Sequence, residues 1–143
     1  MRRILLILFA LAASLLCSLS AVAAEAYACY TSSNKTLTFY YDNLRSSRSG
    51  TTYDLNTGSN APGWIEDELN VTNVVFNTSF RNALPTSTAH WFEAMNELTS
   101  ITGLNNLITS QVTDMSYMFS GCGHLETLDL STFDTSKVTE RVS

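Results

Sequence analysis

Basic residues are scarce in this chain. Eight Lys plus Arg stand against thirteen Asp plus Glu in 143 residues, a formal charge of −5. So few cations cannot neutralise a row of phosphates, which argues against nucleic-acid binding. Charged residues make up 15% of the chain, below the roughly one quarter usual for soluble domains. Three Cys are too few for a disulfide scaffold. The two His, His90 and His124, do not sit in a His-Glu-x-x-His frame. Gly-x-Ser-x-Gly, phosphate-loop and paired-Cys metal frames are absent as well. Disorder is excluded by an apolar fraction of 45%, enough surface to fold around. The length allows one domain.

The first two dozen residues are expected to lie outside the fold. Arg2 and Arg3 precede an almost unbroken apolar run from Ile4 to Leu16, and small residues lead to Ala21-Val22-Ala23. A basic start, a short apolar run and an Ala-x-Ala end are what signal peptidase reads. Cleavage is expected after Ala23 or Ala24, with Ala28 as an alternative. The stretch could also just span a bilayer as an uncleaved anchor. Ser14, Ser18 and Ser20 favour cleavage, and Leu16 before Cys17 disfavours lipidation. Export removes two of the eight basic residues and leaves a charge of about −7. It leaves Cys29 and Cys122, which are either a disulfide in an oxidising compartment or, for Cys122, a small buried hydrophobe.

The middle of the chain reads as strands and turns. Thr36 to Tyr41 alternates and is rich in β-formers. Asn43, Ser46, Ser47, Ser49 and Gly50 mark a turn, and Thr51 to Leu55 suits the returning strand of a hairpin. Asn56 to Gly63 is loop by composition. Val71 to Phe76 is a further strand, and Pro85 to Thr88 punctuates the chain again. Glu66-Asp67-Glu68 is read as a solvated loop or helix start rather than a metal site. Trp64, Tyr40, Tyr41 and Tyr53 are either a sugar-binding face or hairpin core. Asn34, Asn70 and Asn77 begin glycosylation triplets that matter only in a eukaryotic source.

The last third repeats. Phe92, Met95, Leu98 and Ile101 match Phe119, Cys122, Leu125 and Leu128 at an offset of 27. Thr109 to Asp114 then matches Thr135 to Glu140 at an offset of 26. A period of this size lies in the leucine-rich-repeat range, and Leu125, Leu128, Leu130 and Phe133 have that spacing. Thr88 and Thr113 are plausible helix N-caps. Met115, Met118, Phe119 and Cys122 recur at helical spacing, and Gly121 and Gly123 can end that helix. Leu128 and Leu130 alternate as a short strand. Each unit is therefore expected to be a short helix plus a short strand, stabilised by stacking.

The ordered string from Val112 to Cys122, followed by Leu125, Leu128 to Ser131, and Phe133 to Thr139, resembles the BspA-type leucine-rich repeat of bacterial surface proteins, also known as DUF285. Leu37 to Asp42, Tyr53 to Gly58, and Val74, Val75, Phe76 and Phe80 resemble the region preceding such repeats in proteins of gut and oral bacteria. The resemblance implies an α/β leucine-rich-repeat solenoid behind a small β-rich cap. It also implies an exported or surface-displayed protein that adheres to host, matrix or cell-surface proteins. It carries over no catalytic residue. The expected organisation is a signal peptide over 1–23, a β-rich cap over 24–87 and about two repeats over 88–143. The pattern departs from the family at Arg141-Val142-Ser143, where Arg141 takes the place Met115 held one unit earlier.

The enzyme reading finds no constellation to support it. Cys122 and His124 lie two apart at a Gly-rich turn and need not face each other. Asp114, Asp129, Asp134 and Glu140 recur at repeat positions and form either a weak cation-binding face or, by default, a solvated one. No catalytic, metal-binding or cofactor-binding residue is assigned, and no cofactor. The expectation is a secreted or cell-surface binding module with an extracellular protein partner, no nucleic acid and no membrane span after leader removal. Self-association through an exposed solenoid edge near Thr127 to Leu130 is a further option. The alternatives are a truncated gene fragment without independent function and an exported carbohydrate-binding or hydrolytic domain.

Overall fold

Strand-forming residues alternate most regularly in Thr36–Asp42, and this segment is the centre of the sheet. The computed structural model describes residues 20–67 and 69–139. Its five strands are β1 (Glu25–Thr31), β2 (Thr36–Asp42), β3 (Thr51–Asp54), β4 (Asn73–Phe76) and β5 (Ser100–Thr102). Their order is β3-β1-β2-β4-β5. β1 pairs antiparallel with both β2 and β3, while β2–β4 and β4–β5 are parallel. One short helix, α1 (Gly63–Glu66), lies between β3 and β4. The expected return strand is thus present, but it pairs with β1 rather than β2.

Leu37 and Phe39 of β2 point into the core, as do Val74 and Phe76 of β4. Phe39 is the hub. Its ring stacks on Phe76 at 4.6 Å and on Trp91 at 4.9 Å, with edge contacts to Trp64, Phe80 and Phe92. The cluster continues from Ala28 to Met118 without a break at residue 88. Polar ends of the two buried indoles are satisfied. Trp64 Nε1 donates to the Trp91 carbonyl at 2.7 Å, and Trp91 Nε1 donates to Asn56 Oδ1 at 2.6 Å. Unpaired, either group would carry a desolvation cost of about 1–3 kcal/mol.

The opposite face of β1–β3 is covered by residues 43–50. Arg48 donates to Tyr27 Oη at 2.9 Å and pairs with Asp42 at 2.5 Å, its guanidinium 3.7 Å above the Tyr40 ring. Arg45 pairs with Asp54 at 2.5 Å and Glu25 at 3.1 Å. Gly50 closes this cover. A Cβ there would lie 2.3 Å from the Tyr30 carbonyl oxygen and 2.7 Å from Cys29 Sγ.

A leucine-rich-repeat solenoid does not form. The described residues make a small mixed five-stranded sheet with one short helix. Residues 115–122 are consecutive turns, not a helix. Their N–H groups bond three residues back: Met118 to Met115, Ser120 to Tyr117, Cys122 to Phe119. The alternate carbonyls of Asp114, Ser116, Met118 and Ser120 accept instead from the N–H groups of Thr88, His90, Phe92 and Ala94, at 2.7–3.0 Å. This inter-segment ladder takes the acceptors that a helix would use. It requires left-handed backbone at His90 (φ 62°), Ala94 (φ 57°), Tyr117 (φ 56°) and Gly121 (φ 81°).

The repeat offset survives as spatial neighbourhood. Phe92 meets Phe119 at 5.5 Å, and His90 stacks on Tyr117 at 5.2 Å. The Thr113 N–H donates to the Thr86 carbonyl, and the Thr139 N–H to the Thr113 carbonyl. Thr88 and Thr113 cap no helix. The expected strand at Leu128 and Leu130 is also absent: residues 125–130 have no regular structure, and both leucines are exposed.

Candidate functional site

The side chains that invite chemical readings are mostly committed to turns. Asp114 is buried, and its Oδ1 accepts from the Ser116 N–H at 2.9 Å and the Ser116 hydroxyl at 2.5 Å. Asp129 and Asp134 accept from the N–H groups of Ser131 and Ser136, both at 2.9 Å. Hydrogen bonds from these serines hold both carboxyls below the usual carboxylate range. Each acid therefore closes its own two-residue turn, and the three do not converge. Among the described residues no group of three or more His, Cys, Asp or Glu is placed to hold a metal ion. Glu140 and Glu68 lie outside the described residues.

Cys122 donates its thiol to the Phe92 carbonyl at 3.1 Å, and burial pushes it up to about 11. A thiol so shifted is a poor nucleophile near neutral pH. His124 Nδ1 contacts the Asn96 carbonyl oxygen. The two neighbours thus turn to different partners. Cys29 is buried in β1, and both thiols are free. The aromatic quartet does not share a face. Trp64 is fully buried and meets the edge of Tyr53 at 6.3 Å. Tyr40 lies across the sheet, stacked on Tyr27 beneath Arg48. Tyr40 therefore stands apart from Trp64 and Tyr53. Asn77 caps a 3₁₀ turn by accepting from the Ser79 N–H, whereas Asn34 and Asn70 are exposed.

What the structure does bring together is a surface groove that no sequence motif marked. α1 supplies Ile65, and Leu69 lies between α1 and β4. The tip of the first turn stack supplies Glu93, Ala94 and Met95. These residues line a recess of about 430 Å³, with the buried Trp64 behind it. A second recess of about 390 Å³ shares Leu69, Ala94 and Met95 and extends past Asn70 and Asn96 to Glu97. The two share a wall and make one groove, its first half partly apolar and carrying Glu93, its second half mainly polar and carrying Glu97.

The scaffold beneath the groove is rigid. The Ala94 N–H is fixed to the Ser120 carbonyl at 2.7 Å, and the Met95 N–H to the Phe92 carbonyl at 3.2 Å. Glu93 Oε2 lies 2.6 Å from His90 Nδ1. His90 in turn stacks on Tyr117, so one rim carboxylate is oriented in advance. Met95 is packed in the core and offers the groove only its edge.

Among the described residues no helix is long and apolar enough to cross a membrane. Residues 69–142, just over half of the chain, match the model of a family described as Mycoplasma protein of unknown function, DUF285. No curated protein and no solved structure matches the chain.

Proposed function

The chain belongs to the DUF285 family, and from that premise we propose that it is an exported, surface-displayed binding module for an extracellular protein partner, without catalytic activity. The groove carries the reading. A partly apolar floor and two rim carboxylates, one of them held by His90, on a hydrogen-bonded stack suit recognition of another protein. Asp114, Asp129 and Asp134 close turns, and the Cys122 thiol donates to a backbone carbonyl.

The export part rests on the leader. Residues 1–19 lie outside the described residues, but β1 begins at Glu25, directly after Ala23 and Ala24. Ala28 is fully buried in the middle of that strand. Cleavage after Ala28 would remove four residues of a core strand, so cleavage after Ala23 or Ala24 is the reading compatible with the fold. The surface assignment rests on the resemblance of the stretch from Val112 to Thr139 to BspA-type proteins.

The test is expression of the whole chain in a bacterial host, with N-terminal sequencing of the exported product and its binding to immobilised matrix and cell-surface proteins. The proposal expects a mature start at Ala24 or Glu25 and saturable binding to at least one protein surface. An unprocessed cytoplasmic product, or a processed one that binds none of these surfaces, overturns it.

A further inference from the structure

We propose that the groove between α1 and residues 93–97 takes an arginine or lysine side chain from an extended, partly apolar segment of the partner protein. This inference rests on the binding-module reading and adds the chemistry of what is bound. The observation behind it is charge placement. Among the described residues, the charged ones that line the recesses are Glu93 in the first and Glu97 in the second, beside a floor to which Ile65 and Leu69 contribute. Among the described residues no Lys or Arg lines the groove.

A long cationic side chain matches that arrangement. Its methylene stem covers apolar floor while its head stays with a carboxylate at the edge. Arginine fits best, because a planar fork pairs with a carboxylate through two hydrogen bonds. Glu93 is held by His90, so its carboxylate does not have to be ordered on binding. The neutral amides of Asn70 and Asn96 along the second recess suit the backbone of an extended segment. The described arginines on the far face of the sheet are paired with their own acids, so they do not offset the acidic rim. An exported charge of about −7 favours encounter with a basic partner as well.

The experiment is an NMR titration of the isotope-labelled exported chain with two synthetic peptides. One has a central arginine flanked by leucines; the other has glutamate in its place. The arginine peptide is expected to give saturable shifts at the amides of Leu69, Ala94 and Met95, and the glutamate peptide none. Glu93→Gln combined with Glu97→Gln is expected to weaken the arginine peptide by about five- to tenfold, from two partly exposed charge contacts. Glutamine retains a hydrogen bond to His90, and an unchanged unfolding midpoint shows that the fold is intact. Glu66→Gln, exposed and outside the groove, is expected to leave affinity unchanged.

Equal shifts from the glutamate peptide, shifts confined to other surfaces, or unchanged affinity in the double variant each overturn the groove assignment. Capture of a natural partner that persists undiminished in the double variant overturns it too, and leaves the binding-module reading intact. Arginine-peptide binding that is lost in the double variant supports it even where the matrix-protein screen is negative, which counts against the broader reading alone.

Discussion

Ala94 and Gly121 both sit in left-handed backbone, so substitutions there test the turn stack directly. Gly121 has φ 81°, and a Cβ added there would lie 3.2 Å from Ala94 Cα. An L-residue in left-handed backbone costs about 1–2 kcal/mol. Restricting the unfolded chain returns about 0.4–1 kcal/mol. Gly121→Ala should therefore destabilise by about 1 kcal/mol, the difference of those terms with a few tenths for the close contact. Ala94 already bears the left-handed cost at φ 57°, so Ala94→Gly should be neutral or stabilise by up to about 1 kcal/mol. A helix would reverse the sign at Ala94, since Ala is favoured over Gly by about 1 kcal/mol inside a helix, whereas a helix ending at Gly121 favours Gly there as the turn stack does. Urea unfolding followed by tryptophan fluorescence is the assay, because Trp64 and Trp91 are both fully buried. The slope should stay constant while the midpoint moves. A more stable Gly121→Ala would refute the left-handed stack, and an Ala94→Gly variant destabilised by about 1 kcal/mol would refute it and restore the helix.

Gly50→Ala should lower stability by several kcal/mol or prevent folding, because its Cβ meets the Tyr30 carbonyl oxygen at 2.3 Å; a thermal midpoint within a degree of the parent would contradict the close approach. Trp64→Phe strands the buried Trp91 carbonyl, at about 1–3 kcal/mol beyond the lost packing, measurable by chemical denaturation. Tyr27 and Tyr53 are both pushed up to about 12, first by burial and then by their bonds to Asp42 and Asp67. Their folded values lie above the unfolded one, so stability holds below about pH 10 and is lost as pH rises toward 12. A late phenolate step coincident with loss of tryptophan burial is the expected signature. Mass spectrometry after alkylation in denaturant without reductant should find both Cys29 and Cys122 modified, since both are free; an unmodified pair would show a disulfide.

Much of the sheet was legible from the residues. β2 and β4 stand where Thr36–Tyr41 and Val71–Phe76 alternate, and residues 43–50 form a turn as their Asn, Ser and Gly content requires. β1 was hidden because both its faces are covered. Tyr27, Ala28 and Cys29 are all buried, so no alternation of polar and apolar residues reports it. β3 was found but paired wrongly: a hairpin argument joins sequence neighbours, whereas β1 sits between β3 and β2. β5 has three residues, too few for a period. The groove was invisible because Ile65 and Leu69 meet Glu93, Ala94 and Met95 only through the fold. The one local signal was the spacing of Glu93 and Glu97 beside Met95.

The repeat shows what a period fixes and what it leaves open. Matching residues 26–27 apart do become neighbours, as Phe92 with Phe119 and His90 with Tyr117 demonstrate. The period does not choose the backbone that connects them. Met115, Met118, Phe119 and Cys122 satisfy helical spacing, but a stack of three-residue turns with a left-handed residue every fourth position places the same side chains inward. The intervening residues decide between the two. Ser116, Ser120, Gly121 and Gly123 are weak helix formers, and the Asp114 carboxylate closes a turn onto the Ser116 N–H that no helix continues. Each alternate carbonyl is then free to accept from the neighbouring segment, so every rung formed stabilises the turns on both sides. Local preference and inter-segment bonding favour the same backbone, and against that agreement an apolar period alone carries no weight.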